Sequence, residues 1–236
     1  MITTLTATHE TGEWRLASAA HEGAVPLATL TLRAAIGLRQ PRVWYHVGCT
    51  VHAARELGLF HRQRTLLLGH DHTGASELAE LDWVRAEVPL ATQAAALHAL
   101  VGAALAHIAG QRSAFAERLI IELPGLRDSA GQSPFWAGLG RHFYAGDPRD
   151  AAALHGPAWR TLVAALLPRQ PIYASFLPEA AQAAIGQVLP HARVLQEVLE
   201  DYGLRYSNHV NVEDAGPVLD ARIDDLPGVQ RASRPS

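Results

Sequence analysis

A carboxylate stands inside the run Arg118-Leu119-Ile120-Ile121-Glu122-Leu123, which otherwise reads as a buried strand. Glu122 must therefore be paired, protonated or facing a cavity. With a raised pKa in a cavity it would accept a proton from an ammonium nucleophile; paired with an arginine it would be structural. Both readings stand at this level. A second polar concentration is His70-Asp71-His72-Thr73-Gly74-Ala75-Ser76-Glu77-Leu78. Two histidines two apart on an extended segment can share a face, but no third ligand is near, so no metal is expected. The segment reads either as an Asx-type turn built on Asp71 and Thr73 or as a loop that turns His72, Ser76 and Glu77 toward a substrate. Ser133 is placed as the N-cap of a helix whose first residue is Pro134, and Phe135 and Trp136 are core or a ligand platform. Of the histidines, His142, His191 and His209 are candidates for proton transfer, and none stands in triad spacing with a serine or with Cys49.

The chain that must position these groups has 236 residues, 48% apolar and 18% charged, enough for a sizeable core and too apolar for a disordered chain. All 20 basic residues are arginine, so Schiff-base, pyridoxal-phosphate and Walker-loop chemistry is excluded. One cysteine precludes an internal disulfide and suits a cytoplasmic setting. A net charge of −3 without a basic run argues against nucleic acid. The polar start lacks a leader pattern, and the apolar stretch from Pro89 to Gly110 carries Gln93, His98 and His107, so it reads as a core helix, not a membrane span.

Strands are predicted over 13–20, 25–36, 43–49, 65–68, 118–123, 204–212 and 217–223. Helices are predicted over 52–57, after Pro89, and over 134–144, 157–167, 179–187 and 192–202. Without repeat or linker this reads as one α+β domain over 1–226 and a disordered tail over 227–236.

Several segments, taken in order, resemble bacterial arginine N-succinyltransferases. They are Tyr45-His46-Val47-Gly48, Val51-His52-Ala53, Glu56-Leu57, Asp71-His72-Thr73-Gly74-x-Ser76-Glu77-Leu78, Ser133-Pro134-Phe135-Trp136-x-x-Leu139-Gly140, Pro171-Ile172-Tyr173, Ile185-Gly186-Gln187-Val188 and Asp214-x-Gly216-Pro217. The resemblance implies a GNAT-like acyltransferase fold, a mixed central sheet flanked by helices, with a cleft where two strands splay apart. It implies an N-acyltransferase that moves an acyl group from a thioester to the amine of an amino acid or an amino-acid-like acceptor. The site it points to has Glu122, His191 and Tyr173 as catalytic groups. His72, Ser76, Glu77, Ser133, Trp136 and Asp214 would contact the acceptor, and Leu78, Leu81 and Arg85 the donor, with backbone N–H groups near Leu78 to Leu81 on the oxyanion.

The departures from the family pattern carry expectations of their own. Family members are longer at both ends. The family's presumed catalytic histidine is Leu189 here, which leaves His191 as the nearest substitute, and an arginine beside the strand glutamate is Pro124. An acceptor other than free arginine is expected. The family's Arg-x-x-Gly-x-Gly phosphate loop reads Arg85-Ala86-Glu87-Val88-Pro89-Leu90, without its glycines and with a residue that has no N–H. The donor is thus expected to be acyl-coenzyme A or an acyl-phosphopantetheine on an acyl carrier protein, the latter received by Arg85, Arg112 and Arg141. A homodimer is a further expectation; an orthodox arginine succinyltransferase and a catalytically silent binding relative are the alternatives.

Overall fold

Alternating apolar residues build most of the strands, and glycine, proline and Asx residues punctuate them. The computed structural model describes residues 2–8, 12–156 and 158–232. Its strands are β1 (Ile2–Thr8), β2 (Glu13–Ala19), β3 (Ala28–Arg33), β4 (Trp44–Ala54), β5 (Leu59–Gly69), β6 (Ser76–Trp83), β7 (Arg118–Glu122), β8 (Ile172–Tyr173), β9 (Arg205–Asn211) and β10 (Pro217–Arg222). The helices are α1 (Leu90–Gly110), α2 (Pro134–Gly138), α3 (Pro148–His155), α4 (Ala158–Leu166), α5 (Glu179–Ala184), α6 (Arg193–Asp201) and α7 (Pro227–Ala232). All ten strands join one mixed sheet in the order β1-β2-β3-β6-β7-β10-β9-β4-β5-β8. Among the described residues only β6 and β7 pair in parallel, and α1 is their crossover. The molecule is α+β, a mixed sheet flanked by helices.

Each half of the sheet has its own helical cover. On α1, Leu97, Leu100, Val101, Ala104, Leu105 and Ile108 are buried against Leu30, Leu32, Leu78, Leu119 and Ile121, together with apolar residues of α6 and α7. Phe135, Trp159, Val163 and Ala181, from α2, α4 and α5, pack with Tyr45, Leu66, Leu68 and Val210. A smaller cluster of Ile36, Trp44, Ala75, Ile120 and Val218 lies between these cores. Glu122 is register-paired with Val218, so it shares the face of Ile120 and Val218 and points toward Trp44.

Some expected boundaries move. His52–Ala54, predicted as the start of a helix, continue β4, because the ladder runs on through His52↔His61 and Ala54↔Leu59; only Arg55–Leu57 turn helically before Gly58 closes the turn at φ 59°. The same ladder lengthens the predicted strand at 65–68 to all of β5. The predicted helix over 134–144 stops at Gly138, followed by a single 3₁₀ turn over Gly140–His142. β1 and α3 lie in segments with no predicted element. Part of the expected disordered tail is helical: α7 packs on α1, with Val229 buried, and residues 233–236 lie outside the described residues.

Candidate functional site

β6 and β7 share two register pairs, Ser76↔Leu119 and Glu77↔Ile120. Beyond Glu77, β6 follows β3 and β7 follows β10. The edge of β6 from Leu78 onward is therefore unpaired on the β7 side. A bulge lies here: the β3–β6 register shifts between Thr29 and Thr31, and Glu80 sits at φ 50°, a left-handed conformation costly for a side chain with a Cβ. Between the parting strands opens a cavity of about 940 Å³. Glu77 and Trp83 both line it, and the six residue steps from one to the other set its run along β6 at about 20 Å.

The cleft floor is a chain of alternating charges. Arg33 donates to Glu13 at 2.9 Å, to Glu77 at 3.1 Å and to Glu80 at 2.5 Å; Arg42 donates to Glu77 at 2.8 Å and to Glu122 at 2.5 Å. Arg160 lies 3.4 Å from Glu122 and 2.6 Å from Glu213. Trp44 Nε1 adds a hydrogen bond to Glu122 Oε1 at 2.6 Å. Burial by itself would raise the Glu122 pKa, but Arg42, Arg160 and the hydrogen bonds from Trp44 and Arg42 bring it down to about 2. Of the two sequence readings, the ion pair is the one present. A carboxylate held this firmly as an anion is a poor proton acceptor, so the raised-pKa base expected at Glu122 is corrected. At the far end of the chain burial outweighs Arg160 and pushes the Glu213 carboxyl up.

The other end of the cleft carries Trp83, Arg85, His191 and Leu195. Burial, then Arg85, lowers the His191 pKa below the ordinary histidine value, leaving a neutral imidazole at pH 7. Arg85 stacks on Trp83 at 4.9 Å and pairs with Asp82 at 3.3 Å. The altered phosphate loop is closed on itself. Gln93 Nε2 donates to the Arg85 and Val88 carbonyls at 3.3 and 2.8 Å, its Oε1 accepts from Trp83 Nε1 at 3.0 Å, and Glu87 takes the left-handed turn at φ 59°.

Of the residues proposed from sequence, Glu77, Leu78, Leu81, Arg85, Glu122 and His191 line this cavity. The others do not. Tyr173 is on β8, the outer edge strand, five strand spacings or about 25 Å from β7, and stands 5.9 Å from His52. Ser76 is buried, donating to the Ala34 carbonyl at 2.7 Å and accepting from Ala116 N–H at 3.0 Å. Ser133 caps α2 through Trp136 N–H at 3.0 Å, and the Trp136 indole donates to the Gly146 carbonyl at 2.9 Å. These two and Arg141 line a separate cavity of about 130 Å³. Asp214 is a buried clasp that accepts from Gly125 N–H, Gly216 N–H, Asn211 Nδ2 and Arg127 Nη2 at 2.8 to 3.1 Å. His72 is 4% exposed, 4.5 Å from the His209 ring, and burial followed by His209 lowers its pKa to about 4.

Arg85, Arg112 and Arg141 do not form the single basic face a carrier protein would need. Arg85 precedes and Arg112 follows α1, which spans about 30 Å, and Arg112 is tied to Asp224 at 2.6 Å. The sequence reading missed Arg33, Arg42, Arg160 and Trp44, whose importance comes from meeting Glu77 and Glu122 across the sheet. Their one visible signal was that a buried glutamate needs a partner. Among the described residues no group of three metal-ligating side chains stands together.

Residues 18–227 match the family described as "Arginine N-succinyltransferase beta subunit". The arginine N-succinyltransferase of Yersinia pseudotuberculosis serotype O:3 (strain YPIII) is 36% identical over 208 residues, covering 86% of this chain and 57% of that one. The arginine N-succinyltransferase of Enterobacter sp. (strain 638) is 36% identical over 205 residues, 85% of this chain and 57% of the relative. The arginine/ornithine succinyltransferase subunit AI from Pseudomonas aeruginosa superposes with a TM-score of 0.75 at 27% identity, over 95% of this chain and 64% of that structure. The chain thus spans less than two thirds of the length of these relatives. With that model matching most of its length, the chain belongs to the arginine N-succinyltransferase beta subunit family.

Proposed function

We propose that this chain is an N-acyltransferase that moves an acyl group from a coenzyme A thioester to the primary amine of an amino acid or a close analogue. The observation that carries the proposal is the unpaired edge of β6 beyond Glu77, facing a cavity long enough for an extended thioester arm. Its backbone N–H groups between Leu78 and Leu81 are the donors for a developing oxyanion. The amine nitrogen attacks the thioester carbonyl carbon, the tetrahedral intermediate expels the thiolate, and a C–N bond replaces the C–S bond. Neutral His191 takes the ammonium proton directly or through water. Glu122 and Arg42 hold the floor and do not titrate near neutrality.

The diphosphate of coenzyme A meets no glycine-rich cradle here, because the loop between Arg85 and Leu90 is closed on itself by Gln93. The relatives' names make L-arginine and L-ornithine the first acceptors to try, and Leu189 and Pro124 are reasons to extend the panel to other amines. The test is thiol release by the purified chain from succinyl-, acetyl- and butyryl-coenzyme A with each amine, the product identified by mass. Transfer to at least one amine is expected. Binding of an amine without transfer from any thioester would favour a silent relative, and transfer only from acyl carrier protein would overturn the choice of donor.

A further inference from the structure

Five arginines line the cleft, and four of them are bound to carboxylates: Arg33, Arg42 and Arg160 in the floor, and Arg85 at the α1 end. Arg39 has no hydrogen bond or ion pair among the described residues, although Glu13, Glu77, Glu80 and Glu122 line the same cavity. The loop carrying it is fixed on both flanks. On one side Ile36 is buried and exchanges two backbone hydrogen bonds with the loop before β6, from its N–H to the Ala75 carbonyl at 3.0 Å and from Gly74 N–H to its carbonyl at 2.8 Å. Gly37, at φ 74°, packs so closely on Thr73 that an added Cβ would lie 3.2 Å from Thr73 Oγ1. On the other side the Pro41 carbonyl accepts from Thr161 Oγ1 of α4 at 3.1 Å. Arg39 and Gln40 thus form the crest of an anchored rim that lines the same cavity as Gly156, Trp159 and Arg160.

We infer that Arg39 is a specificity-determining residue that binds a carboxylate of a substrate, either the terminal carboxylate of a dicarboxylic acyl group or the α-carboxylate of an amino-acid acceptor. The inference rests on the acyl-transfer reading for which substrate carries the group. The chemistry is that of an unpaired guanidinium: its planar fork matches a carboxylate in bidentate fashion, and a rim already held in place loses little freedom on binding. The floor arginines cannot do this without abandoning buried glutamates.

Two matched pairs of probes separate the sources: succinyl- against butyryl-coenzyme A, and L-arginine against L-argininamide. Binding to the whole chain is measured by titration calorimetry, and transfer rates are measured alongside. The wild-type chain is expected to prefer the carboxylate-bearing member of one pair by about tenfold or more. Arg39→Gln should abolish that preference while leaving the affinity for the uncharged member unchanged, and Arg39→Lys should retain part of it. The pair that loses its discrimination names the substrate. A preference that survives in Arg39→Gln, or no preference in either pair, overturns the inference. Failure of every thioester to transfer overturns the acyl-transfer reading instead, and the calorimetric comparison of L-arginine with L-argininamide still reads Arg39.

Discussion

The Trp44 indole and the Glu122 carboxylate, from strands separated by β9 and β10, meet at 2.6 Å beneath the cleft. The bond fixes one oxygen of Glu122 in place for Arg42 and leaves the other toward Arg160. Replacing Glu122 with Gln should therefore act first on stability. We expect a loss of about 3 kcal/mol in urea unfolding, because guanidinium groups stay buried with one partner fewer. With its folded pKa lowered to about 2, the Glu122 contribution is present above the unfolded carboxylate range and fades as pH falls toward 2. If the variant keeps wild-type stability but loses the acid limb of its rate profile, Glu122 is a base after all.

His191 is expected to show in the rate, not in the fold. His191→Gln should lower kcat/KM by tenfold or more and remove a titration lying below the ordinary histidine range, where burial and Arg85 place it. An unchanged pH profile would exclude it from proton transfer.

Tyr173→Phe should change transfer less than twofold, since β8 pairs only with Thr65 and Leu66 of β5 at the outer edge of the sheet. A tenfold loss would mean that the cleft is not where the reaction occurs.

Asp214→Ala should cost about 3 to 5 kcal/mol, because it strands two backbone N–H groups, the Asn211 amide and the Arg127 guanidinium in a buried loop. KM for either substrate is expected to stay the same in whatever fraction folds, and a selective rise in KM would restore Asp214 to the acceptor site.

His72 makes the fold acid-sensitive. Its folded pKa of about 4 lies below the unfolded value of 6.5, so the unfolded chain binds the proton more readily. Stability is full above pH 6.5 and falls by about 3 kcal/mol as pH drops to about 4. Melting temperatures of wild type and His72→Leu across that window check this: the wild-type curve should fall more steeply.

The sequence made the central strands and α1 legible because their apolar runs are long and bounded by Gly, Pro and polar turns. It misjudged His52–Ala54 because a hairpin ladder, invisible locally, overrides the helical preference of Ala53-Ala54-Arg55-Glu56. The site followed the same division. Of the residues the resemblance singled out, Leu78, Leu81 and His191 line the cleft, whereas Ser133, Trp136 and Asp214 make capping and clasping hydrogen bonds outside it and Tyr173 stands on β8. Arg39 and Arg42 stand in an undistinguished loop, and the pairing of β6 with β7 sets Glu77 and Glu122 where Arg42 reaches both.

The parallel seam also bears on how the chain acquires its shape. Hairpins β1-β2-β3 and β4-β5 form from neighbours in sequence, whereas joining the two halves of the sheet waits for Ser76 and Glu77 to find Leu119 and Ile120 across the whole of α1. That closure is non-local and confined to two residue pairs, so its loop-closure entropy is set against little backbone pairing. Ser76, whose hydroxyl ties Ala34 to Ala116 across the seam, adds two hydrogen bonds to those two register pairs. The cavity between β6 and β7 thus opens beside the two-pair join that unites the halves of the sheet.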